Sequence, residues 1–106
     1  MNCSGSIIAV MKVPNPNLLI FKVRGKLVSG GMEIYHSPDD INEKFDSLND
    51  NKESLPLVKK LWELGDIKYT LVCRNSVHVE ITEESSWENL RGPVRKTIED
   101  YLKRKN

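Results

Sequence analysis

A Pro-Asn-Pro-Asn segment at residues 14–17 constrains the fold of this chain more than any other feature. It separates two apolar stretches, residues 7–13 and 18–24, that are rich in the β-branched residues typical of strands. Each proline fixes its own φ and pushes the preceding residue toward extended geometry, while asparagine readily hydrogen-bonds the local backbone. We therefore predict two strands joined by a stiff, shaped loop.

The middle of the chain carries the signals of one strand and two helices. Residues 32–36 are interpreted as a third strand, after a cluster of turn glycines. Ser37 as N-cap, followed by proline and two aspartates, predicts a helix that ends after Leu48. A second helix is predicted between Ser54 and Gly65, because its apolar residues form a broad stripe at helical spacing.

The next two strands predict a hairpin whose register decides the environment of a cysteine. A loop of residues 74–76 would place Cys73 opposite Val77 and gather the apolar side chains on one sheet face. A two-residue turn would mix apolar and polar residues on both faces, so we prefer the longer loop. It follows that Cys73 is a buried, inert thiol and that His78 lies on the opposite, solvent-facing side.

The C-terminal quarter predicts a last helix. Residues 85–88, Ser-Ser-Trp-Glu, have the form of a capping box, and apolar residues recur at helical spacing as far as Leu102. Pro93 interrupts the pattern, so we expect a short opening turn, a kink and a main helix that starts near Pro93. The fold class is then α+β: an antiparallel β-sheet of about five strands with helices packed on one face, in the order β-β-β-α-α-β-β-α. We expect a single domain over residues 1–106, with flexible ends at 1–6 and 103–106.

Charge and hydropathy exclude several classes of protein. Sixteen Lys and Arg residues against fifteen Asp and Glu residues give a net charge of +1, so no overall field exists to gather nucleic acid or anionic lipid. The apolar stretches are far shorter than the ~20 residues of a membrane span, and no basic segment precedes them as in a signal peptide. We expect a cytoplasmic protein that does not enter a membrane.

The residues that could carry chemistry are few. Two cysteines cannot supply the four thiolates of an iron-sulfur cluster, and His36 and His78 lack the spacing of a metal site. A dimer that bridges a cluster through one Cys73 from each chain is excluded if Cys73 is buried. No nucleophile stands beside a base, because the preferred register separates Cys73 from His78. We therefore predict no catalytic residue, no metal ligand and no enzymatic activity.

Several segments together resemble one family. Residues 14–21, Pro-Asn-Pro-Asn-Leu-Leu-Ile-Phe, resemble the P-N-P-N-x-L-x-F opening of the N-terminal domain of Nfu/NifU-type iron-sulfur scaffold proteins. Residues 37–40 are similar to its S-P-E-E segment, and residues 56–64 to its P-L-A-K-R-L-F-E-I helix. Residues 87–93 are similar to its W-E-E-L-K-P segment, although Gly92 adds a residue before the proline.

The resemblance implies a place in iron-sulfur cluster assembly or delivery. In full-length members a C-x-x-C motif in a separate C-terminal domain holds the cluster, and the N-terminal domain contacts partner proteins. We therefore expect a monomeric, non-catalytic interaction domain that binds iron-sulfur assembly or recipient proteins and meets the cluster only through them. The candidate partner-contact loop is Pro14, Asn15, Pro16 and Asn17. The alternative is a small nucleic-acid-associated accessory protein that uses the basic end of the last helix, Lys103, Arg104 and Lys105.

Overall fold

The computed structural model describes residues 7–35 and 53–105. In chain order the elements are β1 (Ile7–Lys12), β2 (Leu18–Val23), β3 (Glu33–Tyr35), α1 (Leu55–Glu63), β4 (Ile67–Val72), β5 (Ser76–Ile81) and α2 (Trp87–Lys105). The α+β class and the five-stranded antiparallel sheet are confirmed. The helix predicted after Ser37 and the flexible end predicted at residues 1–6 lie outside the described residues.

The strands lie in the order β1-β2-β5-β4-β3, so the Pro-Asn-Pro-Asn loop joins an edge strand to its neighbour. One sheet face carries the core, because alternate residues of the strands are buried there against the two helices. Phe21 and Val79 come from the sheet, and Leu61 and Ile98 come from α1 and α2. Burial of these four side chains is complete, and it fixes both helices on the same face.

The opposite face of the sheet carries a mixed row of side chains that crosses all five strands. The pairing register aligns Met11, Ile20, His78, Leu71 and Ile34 in that order. All five are at least partly exposed, Met11 at 44% and Ile34 at 39%. This face is therefore distinct from the core, although it is not purely polar.

The predicted hairpin register is wrong by one residue. Val72, not Cys73, lies opposite Val77, and the N–H of Cys73 donates to the carbonyl of Ser76 at 2.8 Å, so the turn contains only Arg74 and Asn75. A bulge between Ile67 and Tyr69 explains the difference, because it lets Ile67 and Thr70 both face the core. The strict alternation assumed from the sequence is broken at that point.

The corrected register changes the environment of the thiol. Cys73 is partly exposed rather than buried, and it lies on the same sheet face as His78 rather than on the opposite face. Burial therefore gives no reason to exclude a dimer bridged through Cys73. The argument against a cluster held by this chain then depends on the number of its sulfur ligands.

The last helix is continuous. It runs from Trp87 to Lys105 with Pro93 inside it, so a separate main helix starting near Pro93 is wrong. Its cap is Ser86 rather than Ser85, since the Ser86 hydroxyl accepts the N–H of Glu88 at 3.1 Å. Residues 103–105, expected to be part of a flexible end, belong to this helix.

Candidate functional site

The Pro-Asn-Pro-Asn loop is held in shape by the side chain of Asn15. The Asn15 Oδ1 accepts the N–H of Asn17 at 2.9 Å, and the Asn15 carbonyl accepts the N–H of Leu18 at 3.1 Å. The Asn15 Nδ2 donates to Oε2 of Glu80 on β5 at 3.2 Å. A local turn of this kind, flanked by two prolines, leaves the loop little freedom to rearrange.

The loop is also tied to the start of α2. The Asn17 carbonyl accepts two hydrogen bonds, one from the N–H of Ile81 and one from Nε1 of Trp87, each at 3.0 Å. The Trp87 ring also packs against Phe21, with ring centroids 5.8 Å apart and planes inclined at 56°. Trp87 thus fixes the position of the first turn of α2 relative to the loop.

A cleft of about 450 Å³ opens between the loop and α2. We call it the loop cleft. Its lining residues come from the end of β1, the loop, the start of β2 and the first turns of α2: Lys12, Val13, Pro14, Asn15, Pro16, Leu18, Leu19, Trp87, Glu88 and Arg91. Three of the four predicted contact residues therefore line one concave surface. Asn17 does not line it and acts through its backbone carbonyl instead.

The chemistry of the loop cleft suits the binding of a partly apolar ligand. Its walls are mainly apolar, and its charged groups are Lys12, Glu88 and Arg91, all exposed. The lining includes no Cys, His, Ser or Thr that could act as a nucleophile or base. The arrangement can receive an apolar side chain and pair with charged groups beside it.

Sequence reasoning missed the residues that complete the cleft. Trp87 follows the apolar periodicity of the last helix, which gives no sign that its N–H holds the loop. A tryptophan N–H needs an acceptor when the ring is partly buried, which was the one available signal. Nothing in the sequence singles out Lys12 at the end of β1, and Arg91 approaches the loop only through the packing of α2 on the sheet.

The basic residues of the alternative interpretation lie elsewhere. Lys103 and Arg104 line a groove at the C-terminal end of α2, and Lys60 of α1 lies in the same groove. The side chain of Lys105 lies outside the described part of the chain. Sequence reasoning missed Lys60, which joins the other two only when the helices pack together.

Among the described residues, Cys73 and His78 belong to no group that could hold a metal ion. Burial lowers the pKa of His78 below its usual 6.5, so the imidazole is neutral over a wider pH range. Over residues 7–35 and 53–105, no group of three or more His, Cys, Asp and Glu residues is arranged to hold a metal ion.

Comparisons with known proteins give one family match and several similar structures. The family described as "Scaffold protein Nfu/NifU N terminal" matches residues 8–105. A NifU-like protein from Saccharomyces cerevisiae has a similar structure, with a TM-score of 0.70 and 13% identity over 97% of this chain and 84% of that one. Protein SAV1430 from Staphylococcus aureus gives a TM-score of 0.64 and 14% identity, over 87% of this chain and 96% of that one.

A third structure, SeR13 from Staphylococcus epidermidis, gives a TM-score of 0.56 and 14% identity, over 91% of this chain and 98% of that one. At these identities the three structures establish the shared fold. No curated protein matches the sequence. Within the described ranges, no helix has the length and apolar character needed to cross a bilayer.

Proposed function

Because this chain belongs to the Nfu/NifU N-terminal scaffold family, which is associated with iron-sulfur cluster assembly, we propose that it serves there as a non-catalytic protein-interaction domain. The observation that carries the proposal is the loop cleft, a concave, mainly apolar surface built on a stiff loop. Such a surface can bind a partner at a low cost in ordering entropy, because the loop is already held in one conformation.

The partner surface can be described by what the cleft offers. Val13, Pro16 and Leu18 give it apolar walls, and Lys12 and Arg91 place two cations near one carboxylate, Glu88. An apolar side chain flanked by an acidic residue fits this arrangement best. The partners we propose are iron-sulfur assembly or recipient proteins that present such a segment. A cytoplasmic location remains a prediction from the sequence.

We propose further that the cluster is held by the partner and not by this chain. A cluster normally takes four protein ligands, mostly thiolates, whereas the whole sequence contains two cysteines. This argument rests on the number of ligands in one chain, since Cys73 is partly exposed, and the reconstitution experiment below tests a cluster shared between two chains.

Capture from an extract of the native source tests the binding role. The tagged full chain is compared with a Lys12→Glu/Arg91→Glu variant, which reverses both cations of the loop cleft. A Lys22→Glu/Lys26→Glu variant is the matched control, because it makes the same charge change at two exposed residues outside the cleft. We expect iron-sulfur assembly proteins, quantified by mass spectrometry, to be enriched by the wild type and the control and to be lost from the cleft variant. Equal capture by all three proteins would refute the role of the cleft.

Anaerobic reconstitution with iron and sulfide tests the second part of the proposal. We expect the purified chain to stay colourless and to carry no acid-labile sulfide. A brown product that is lost on Cys73→Ser substitution would show a cluster bridged between two chains, and the proposed division of labour would be wrong.

A further inference from the structure

A groove at the opposite end of α2 carries a concentration of positive charge. It consists of two adjoining cavities, of about 440 and 310 Å³, that share Lys60 and Arg104. We call it the basic groove. Its remaining lining residues come from both helices: Pro56, Thr97, Asp100, Tyr101 and Lys103.

The three cations of the basic groove are not neutralised by the fold. Lys60, Lys103 and Arg104 are exposed, and none of them lies within ion-pair distance of a carboxylate in the described residues. The one carboxylate in the lining, Asp100, has Lys96 at 3.9 Å outside the groove. Like charges that converge repel one another, so an anion entering the groove would relieve that repulsion.

Favourable interaction with the helix dipoles does not explain why the three cations of the basic groove lie together. Cations near the C-terminal end of a helix are stabilised by its dipole, and Lys103 and Arg104 meet that condition on α2. Lys60 lies in the last turn of α1 and meets the same condition there, but the two dipoles give no reason for the three cations to share one cavity. The groove is therefore a property of how α1 and α2 pack.

The uncharged walls of the groove are rigid. Pro56 has a fixed φ, and the hydroxyl of Tyr101 donates to the carbonyl of Glu53 at 3.2 Å, which holds the aromatic ring in place. Together they form an apolar wall beside Lys60 and Arg104. A ligand with negative charges on either side of a small apolar group would match both features.

We propose that the basic groove binds an acidic peptide segment of a partner protein, with at least two carboxylates flanking an apolar residue. Trp87 at the loop cleft and Arg104 at the groove are separated by about 25 Å along α2, at ~1.5 Å per residue. The groove is thus a second binding surface, and it does not depend on the role of the loop cleft.

The lining favours a peptide over a nucleic acid. Asp100 places a carboxylate inside the groove, where it repels phosphates and peptide carboxylates alike. A peptide backbone can offset this repulsion by donating an N–H to Asp100, whereas a phosphodiester backbone has no N–H to donate. Tyr101 is the one aromatic residue of the lining and is half-buried, so it offers no platform for stacking successive bases.

Fluorescence polarisation of the full chain with a labelled Glu-Glu-Leu-Glu-Glu peptide tests the proposal. A Lys60→Gln/Lys103→Gln/Arg104→Gln variant is compared with Lys22→Gln/Arg24→Gln/Lys26→Gln, which removes the same charge at exposed residues outside the groove. We expect the groove variant to bind the peptide at least about tenfold more weakly, and the control to change by less than about twofold.

Two further measurements distinguish a failure of this proposal from a failure of the loop cleft or of folding. The same comparison is repeated in the Lys12→Glu/Arg91→Glu background, in which the loop cleft can no longer pair with the peptide. The groove substitutions should weaken binding at least about tenfold there too, so a failure of the loop cleft would leave this proposal standing. Should the groove variant unfold, as circular dichroism would show, Lys60→Gln alone replaces it, and it should weaken binding about threefold or more. Equal loss in variant and control, or tighter binding of a labelled ten-nucleotide oligouridylate than of the peptide, would overturn the proposal.

Discussion

At the scale of single residues, a buried polar cluster joins the short edge strand β3 to α1. The carboxylate of Glu33 accepts the hydroxyl of Ser54 and the backbone N–H groups of Glu53 and Ser54, at 3.1 and 2.9 Å for the last two. The hydroxyl of Tyr35 lies 3.0 Å from that of Ser54. Ser54 and Tyr35 are both fully buried, so the cluster links strand and helix away from solvent.

This cluster predicts a loss of stability at alkaline pH. Burial, reinforced by the nearby charge of Glu33, raises the pKa of Tyr35 well above its usual 10.0. A raised pKa means that the folded state favours the protonated phenol, so this contribution is complete below pH 10 and is lost as the pH rises beyond it. Urea unfolding between pH 8 and 11 should show this decline, and Tyr35→Phe should flatten it. An unchanged slope in the variant would mean that another group is responsible.

The two asparagines of the loop should differ in their effect on stability. Asn15→Ala removes two side-chain hydrogen bonds and should lower the free energy of unfolding by about 1 kcal/mol, since both bonds are exposed. The side chain of Asn17 makes no hydrogen bond within the described residues, so Asn17→Ala should leave stability nearly unchanged. Urea unfolding of the two variants checks this, and equal effects would contradict the described loop geometry.

At the scale of elements, two glycines show how backbone conformation, rather than packing, decides the effect of an alanine substitution. Gly92 lies inside α2 and Gly65 follows α1 with a φ of +84°. Apart from the adjoining residues and the backbone of α2 itself, a Cβ added at either position meets no atom within 4 Å. Gly92→Ala should stabilise the protein by at most about 0.5 kcal/mol, because alanine is the better helix former but its Cβ lies next to the ring of Pro93. Gly65→Ala should destabilise it, because alanine rarely adopts a positive φ. Thermal melts of the pair give the two signs, and a shift in the same direction would contradict this distinction.

The hairpin shows where element prediction from the sequence stops. The strands themselves, the turn at Gly65 and the helix after Ser54 follow from local patterns, and the structure has them all. The register of β4 against β5 does not follow from local patterns. It depends on a bulge at Lys68 and on the burial of a polar residue, Thr70, and both are set by how the sheet packs against the helices. Strict alternation would place Thr70 toward solvent and Cys73 in the core, whereas Thr70 is buried and Cys73 is partly exposed.

The titration of His78 tests the register directly. His78 lies opposite Leu71 and Ile20, and burial lowers its pKa below 6.5. Leu71→Ala should expose the imidazole and bring the pKa back toward 6.5, as followed by NMR. Ile8→Ala, at an exposed residue of the edge strand β1, serves as the control and should leave the pKa as it is. In the register we predicted from the sequence, Leu71 and His78 would lie on opposite faces and the pKa would not move.

At the scale of the whole molecule, α2 connects two surfaces of different character. Its first turns help to form the mainly apolar loop cleft, and its last turns help to form the basic groove. The loop and the family could be recognised from the sequence, because Pro-Asn-Pro-Asn is a local motif. The other walls of the cleft could not, because Lys12 and Arg91 are brought together only by tertiary packing.

Titration of one purified assembly protein obtained by the capture experiment tests the central claim most directly. Calorimetry would compare the wild type, the Lys12→Glu/Arg91→Glu variant and the Lys22→Glu/Lys26→Glu control against that partner. The account predicts that the cleft variant binds at least about tenfold more weakly while the control matches the wild type. Equal affinity for the cleft variant and the wild type would contradict it.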